Sequence, residues 1–210
     1  MNIVLLGAPG SGKGTQAEKL SSYFKIKKIV LGDILRQEVK SKSSLGKKAK
    51  EYMEKGLLVP DEIVDEVVKK YIDSGGFVLD GYPRNLHQAE SLDKILKEKN
   101  LSLNKVFYLD VKKDIVIERL SGRRICKNCG AIFHIKNMPS KKEGICDFCG
   151  GVLYQREDDK PEVIEKRWEV FKKEVEVIVD YYKKQDKIIF LDANKDKEEV
   201  FKSLLENLKN

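Results

Sequence analysis

No stretch of this 210-residue sequence approaches the ~20 consecutive apolar residues that a bilayer-spanning helix needs. The opening run from Met1 to Leu6 lacks the charged leader and small-residue cleavage site of a secretory signal, so the chain reads as cytosolic, without a membrane partner. Low-complexity tracts, solenoid-length repeats and long apolar heptads are missing as well. Cysteine is absent outside one window: all four lie between Cys126 and Cys149, a crowding that favours metal ligation over disulfides in a cytosolic chain. With 41% hydrophobic and 36% charged residues the sequence is too apolar for disorder and long enough for one domain with a small insertion. Its net charge of +7, from 41 basic and 34 acidic residues, fits either a solvated mixed-charge surface or attraction to phosphate-bearing ligands, nucleotides or nucleic acid.

Asn2 to Leu6 reads as a strand buried on both faces, running into Gly7-Ala8-Pro9-Gly10-Ser11-Gly12, after which Lys13 to Tyr23 carries helical spacing. Short apolar runs at Lys28–Leu31, Phe77–Leu79, Lys105–Leu109 and Lys187–Leu191 predict four more buried strands. Helical periodicity fills the intervals, at about Ile34–Lys40, Leu45–Lys55, Asp61–Ser74, Leu86–Glu98, Lys113–Ser121, Pro161–Lys184 and Lys197–Leu208. Pro60 and Pro161 stand where proline opens a helix, each followed by acidic residues that suit the positive end of the dipole. This alternation predicts an α/β fold with a five-stranded parallel sheet flanked by helices and with ligands at the carboxyl ends of its strands. From about Gly122 to Asp159 the pattern breaks into glycines, cysteines and short β-branched or aromatic pieces. That predicts an inserted subdomain, residues 122–159, between core segments 1–121 and 160–210.

The glycine loop has the mechanics of a polyphosphate cradle: small residues let backbone N–H groups approach, and the helix N-terminus adds favourable partial charge. Gly10, Ser11, Gly12, Lys13, Gly14 and Thr15 are the candidate ligands, with Lys13 reaching the β- and γ-phosphates. The strict pattern places Ser or Thr directly after the lysine, whereas here Gly14 intervenes and Thr15 follows. Asp80-Gly81-Tyr82-Pro83-Arg84 follows a predicted strand, so Arg84 lies where it can fork onto a phosphate; the bare pattern also fits a turn in which Asp80 caps a helix. Arg119, Arg123, Arg156 and Arg167 taken singly read as surface residues.

The cysteines are spaced Cys126-x2-Cys129-x16-Cys146-x2-Cys149, with Gly130 and Gly150 directly after each pair, where a knuckle turns tightly. Four thiolates at this spacing fit a closed, structural Zn²⁺ site; an iron–thiolate site or free thiols are the alternatives. Paired knuckles in a basic chain also fit a nucleic-acid-binding zinc ribbon, but these interrupt a P-loop domain, and only Phe133, Phe148 and Tyr154 offer aromatic faces nearby. Nucleic acid is therefore not an expected partner. His87 and His134 read as surface or packing residues.

Over essentially its whole length the chain resembles the adenylate kinases, in the bacterial type whose long lid carries four-cysteine zinc. The resemblance rests on Gly-x-x-Gly-x-Gly-Lys-Gly-Thr at Gly7 to Thr15, Gly32-Asp33, Asp80-Gly81-Tyr82-Pro83-Arg84, Gly122-Arg123-Arg124 and Arg156, in the family's order. It implies a monomer, reversible phosphoryl transfer from Mg·ATP to AMP giving two ADP, a monophosphate-binding part at residues 30–59, and a lid that closes over ATP. It assigns Arg119 and Arg123 to the ATP phosphates, Ile132 and Phe133 to its adenine, and Asn194 and Lys195 to the loop whose backbone touches that base. On the AMP side it assigns Leu31, Arg36, Leu57, Leu58, Val59, Gly81, Tyr82, Pro83, Arg84 and Gln88, with Gln88 reading the adenine edge and Leu31 replacing the family's threonine. Arg156 and Arg167 fall to the AMP phosphate or the moving phosphoryl group, and Asp80 to the waters of Mg²⁺. The catalytic set is then Lys13, Arg84, Arg123, Arg156 and Arg167, with no general base, because the attacking phosphate oxygen is already ionised at neutral pH. Gln88 and the long lid separate the chain from the related pyrimidine monophosphate kinases, while a GTP:AMP phosphotransferase stays open as a second reading.

Overall fold

The computed structural model describes residues 1–209. Strand β1 (Asn2–Gly7) alternates its side chains between two cores. Val4 and Leu6 enter one with Leu35, Val68 and Leu92, while Ile3 and Leu5 enter the other with Leu20, Val116 and Leu204. A strand so placed must be apolar at every position, which is why periodicity fails in it and a continuous hydrophobic run appears instead. Around β1 lie β2 (Lys27–Val30), β3 (Phe77–Asp80), β4 (Lys105–Asp110) and, near the C-terminus, β8 (Ile188–Asp192). All five are parallel, as expected, and their order is β2-β3-β1-β4-β8. The chain fills one side of β1 and then the other, so the carboxyl end of β1 is the switch point where a ligand crevice opens.

Helices α1 (Lys13–Phe24), α2 (Leu31–Lys40), α3 (Ser44–Glu54), α4 (Asp61–Tyr71), α5 (Leu86–Glu98) and α6 (Lys113–Ser121) connect and cover these strands, followed later by α7 (Pro161–Lys183) and α8 (Lys197–Leu208). Pro161 takes the first turn of α7. The second strand stops one residue earlier than predicted, at Val30, and Leu31 instead opens α2 with its side chain buried.

The region after α6 forms an antiparallel three-stranded sheet, β6-β5-β7, from β5 (Arg123–Cys126), β6 (Ile132–His134) and β7 (Leu153–Tyr154). Its hydrophobic cluster holds only Cys126, Phe133 and Cys146, with Ala131 and Leu153 packed against them. A single turn of 3-10 helix, Glu157–Asp159, returns the chain to the core.

Candidate active site

Gly12 sets the phosphate loop. It caps α1 in a left-handed conformation, φ +98°, and a Cβ there would meet nothing within 4 Å, so the demand for glycine is one of backbone strain alone. No side chain caps the helix N-terminus, which leaves its N–H groups and partial positive charge directed at the crevice. Lys13 folds back over the loop, donating from Nζ to the carbonyls of Gly7 and Ala8 at 2.8 Å each. Burial lowers its pKa to about 8, opposed by Asp80 and aided by the charges of Arg84, Arg167 and Arg123.

A cleft of about 610 Å³ runs from this loop between α2–α4 on one side and the three-stranded subdomain on the other. Among its lining residues, nine lysines and arginines face four aspartates, a surplus that suits a polyanionic ligand. Gly10 to Thr15, Leu31, Arg36, Leu57, Leu58, Val59, Gly81, Pro83, Arg84, Gln88, Arg119, Arg123, Ile132, Phe133, Arg156, Arg167, Asn194 and Lys195 all border it. Tyr82, grouped with them by resemblance, does not: its ring is fully buried in the core and its hydroxyl donates to Asp65 at 2.6 Å.

Carboxylates hold the arginines in place. Asp33 accepts from Arg36 at 2.6 Å and from Arg156 at 3.0 Å. Arg167 lies 3.1 Å from Asp158, whose backbone carbonyl also accepts from it, and 3.4 Å from Asp159. Arg123 grips both oxygens of Asp159. Burial would push the Asp158 carboxyl up, yet Arg167, Arg36, Arg123 and Arg156 together hold it below the usual carboxylate range. Burial also brings Arg156 and Arg167 down to about 10, and Arg84 is lowered for the same reason. One donor is left over: the buried Nε of Arg156 has no partner among the described residues. Asp80, buried at the end of β3, has its carboxyl pKa raised by burial against the opposing pull of Lys13 and Arg84.

The carboxylates were not among the residues singled out from sequence, apart from Asp33 within Gly32-Asp33 and Asp80. Asp158 and Asp159 follow Arg156 at two and three residues, and that clustering of opposite charge before Pro161 is the only signal they leave.

Gln88 is buried on the first turn of α5 and borders the cleft. Its Oε1 accepts from the backbone N–H of Arg84 at 2.8 Å and its Nε2 donates to Asp61 at 2.7 Å. One N–H and one acceptor lone pair of the amide remain for a ligand.

In the inserted subdomain the four cysteine sulfurs lie within 4.8 Å of one another. A tetrahedral Zn²⁺ with bonds of ~2.3 Å needs sulfurs ~3.8 Å apart, so these residues fit the ion with small adjustments. The two knuckles are alike: Gly130 donates to the carbonyl of Cys126 and Gly150 to that of Cys146, each glycine left-handed at φ +74° and +70°. His134 is not drawn in; its ring lies against the carbonyl of Glu118 and accepts from the backbone of Lys136 and Asn137.

Comparison with known proteins adds three findings. The family model for adenylate kinase matches residues 5–187. An adenylate kinase of Caldicellulosiruptor bescii is 52% identical over 99% of both chains. Those of Caldanaerobacter subterraneus and Archaeoglobus fulgidus are 49% identical over 97% of this chain and 94% of that protein, and 46% identical over the full length of both.

Proposed function

This chain belongs to the adenylate kinase family and is an ATP:AMP phosphotransferase, and we propose that the cleft just described is where Mg·ATP and AMP become two ADP. In that reaction an AMP phosphate oxygen attacks the γ-phosphorus of ATP while the bond to the β–γ bridging oxygen breaks, and ADP departs with the electron pair. No proton need move, so the protein's task is alignment and positive charge on the equatorial oxygens. The loop at Gly10 to Thr15, with Lys13, Arg119 and Arg123, takes the ATP phosphates; Ile132, Phe133, Asn194 and Lys195 take its adenine. Arg36 and Arg84 hold the AMP phosphate, Leu57 to Val59 line its base pocket, and Gln88 reads the adenine edge. Arg156 and Arg167 follow the moving group, exchanging aspartates for phosphate. Asp80 would hold Mg²⁺, and the ion when bound would supply charge neutralisation to the phosphates.

The observation that carries this reading is that Lys13, Arg84, Arg123 and Arg167, from four separate stretches of the chain, line one cleft, where Lys13 and Arg167 have their pKa lowered first by burial and then by neighbouring cations. Asp158 and Asp159 balance part of this charge, and a polyanion would meet the rest. Residues 30–59 would serve as the monophosphate-binding part and residues 122–159 as a lid held by structural Zn²⁺ on Cys126, Cys129, Cys146 and Cys149. The lid's few buried residues support that role for the metal, which substitutes for core. Closure of both parts would exclude water and so prevent simple hydrolysis. We further propose a cytoplasmic monomer without nucleic-acid partner; among the described residues no helix is long and apolar enough to cross a membrane.

Paired variants test the two-sided assignment. Arg36→Ala should raise KM for AMP by roughly tenfold or more with little change in KM for ATP, and Arg119→Ala should do the reverse. Equal effects on both substrates in either variant would contradict it.

A further inference from the structure

Behind Gln88, outside the lining of the cleft, one carboxylate gathers three side-chain nitrogens from the N-cap and first turn of α5. Asp61, at the start of α4, accepts from Gln88 Nε2 at 2.7 Å and from Asn85 Nδ2 at 3.0 Å, and lies 3.1 Å from His87 Nδ1. Asn85 is fixed in turn, since its Oδ1 caps α5 by accepting from the backbone N–H of Gln88 at 2.8 Å. The other end of the Gln88 amide meets the backbone N–H of Arg84.

We propose that Asp61 is a specificity-determining positioning residue, which locks the Gln88 amide in one of its two orientations and so decides which purine edge the site accepts. The inference rests on the reading of Gln88 as the adenine-contacting residue. Rotating the amide by half a turn would point Oε1 at the Asp61 carboxylate and Nε2 at the Arg84 N–H, two repulsive contacts in a buried place. Only the observed orientation is then available. An adenine edge sets an N6–H donor beside the N1 acceptor, whereas a 6-oxopurine edge sets the O6 acceptor beside an N1–H donor. The two bases need opposite orientations of one amide, and Asp61 with the Arg84 N–H permits only one of them. Asp61 itself touches no substrate.

The test compares kcat/KM for AMP with that for inosine monophosphate, which differs from AMP at this edge alone, in Asp61→Ala, Asp61→Asn and Gln88→Ala. Asp61→Ala removes the acceptor and leaves the Arg84 N–H as the one group that still orients the amide, and should lower the AMP:IMP ratio by at least about tenfold. Its effect should fall on KM for AMP, leaving kcat and KM for ATP nearly unchanged. Asp61→Asn keeps one carbonyl oxygen for Gln88 Nε2 and should retain most of the discrimination, which a loss of α4 stability could not explain. Far-UV circular dichroism and melting midpoints establish that each variant is folded. A ratio that collapses in Gln88→Ala but stays at the wild-type value in Asp61→Ala overturns the role of Asp61 alone. Equal loss in Asp61→Ala and Asp61→Asn also overturns it, assigning the effect to charge and not to the acceptor. An unchanged ratio in Gln88→Ala removes the reading of Gln88 and the inference with it.

Discussion

Arg123 holds Asp159 through two hydrogen bonds, from Nε at 2.8 Å and from Nη2 at 2.6 Å, across 36 residues of chain. The pair joins the beginning of the three-stranded subdomain to the turn that leaves it, and Asp159 has no exposed surface at all. Removing one partner from such a pair leaves a charge buried without compensation. Arg123→Ala should therefore destabilise the protein by about 3 kcal/mol, with Arg167 at 3.4 Å as the only remaining cation on that carboxylate. Asp159→Asn removes the fully buried charge, keeps an acceptor oxygen, and leaves an Arg123 guanidinium that still reaches solvent, so it should cost less. Urea unfolding of both variants checks the order, and a smaller loss in Arg123→Ala than in Asp159→Asn would contradict it.

Lys13 makes nucleotide binding depend on pH. In the empty cleft its pKa is about 8, because burial disfavours the ammonium form. A polyphosphate favours that form and raises the pKa, so binding takes up protons wherever free Lys13 has already lost them. ATP affinity should thus be flat below neutrality and fall as pH rises above about 8, until the higher pKa of the complex is passed. Calorimetry near pH ~8.5, in two buffers of different ionisation enthalpy, should record proton uptake that disappears in Lys13→Met. Constant affinity across this range would place the lysine away from the phosphates.

The same substitution separates chemistry from folding. Among the described residues Lys13 Nζ bonds only the loop atoms Gly7 O, Ala8 O and Ser11 Oγ, so Lys13→Met should leave the fold intact. Turnover should fall by roughly 10²- to 10³-fold, the usual scale for removing one group that stabilises developing charge. Near-normal turnover would sink the phosphate assignment of the loop.

Metal removal should act on one part of the molecule. With so few buried residues under the three-stranded sheet, stripping the metal or substituting Cys149→Ser should unfold that subdomain while the parallel sheet keeps its ellipticity. Elemental analysis of the purified protein should find one zinc per chain, and KM for ATP should rise more than KM for AMP in the metal-free form. A chain that retains an unaltered melting profile after complete removal would show that the thiols need no ion.

The strands, the glycine loop and the cysteine knuckles were legible in the sequence because each is governed by local physics: burial on two faces, a left-handed turn, a ligand spacing. Leu31 was misread at its end of β2 because an apolar residue before a glycine looks like the last position of a strand. In the fold it begins α2, and Gly32 sits inside that helix without breaking it. A Cβ on Gly32 would stand 3.1 Å from the guanidinium of Arg36, one turn further along the same helix. Asp61, Asp158 and Asp159 were overlooked for a different reason. In a chain that is 36% charged, single aspartates carry no pattern, and what distinguishes these three is which arginine or amide the fold brings to them. Tyr82 lies between two cleft-lining residues in the chain, yet its side chain points into the core. Adjacency in a motif does not fix which way a side chain faces.

The central claim is that one cleft joins a phosphate-loop ATP site to an AMP site read by Gln88. It is tested most directly by measuring ADP formation from Mg·ATP with AMP, GMP, CMP or UMP as the acceptor. The account predicts that AMP exceeds each of the others in kcat/KM by at least about 100-fold, with Leu31 a tolerated departure from threonine. Comparable or greater efficiency with another monophosphate would leave the fold and the phosphate chemistry standing and contradict base recognition by Gln88.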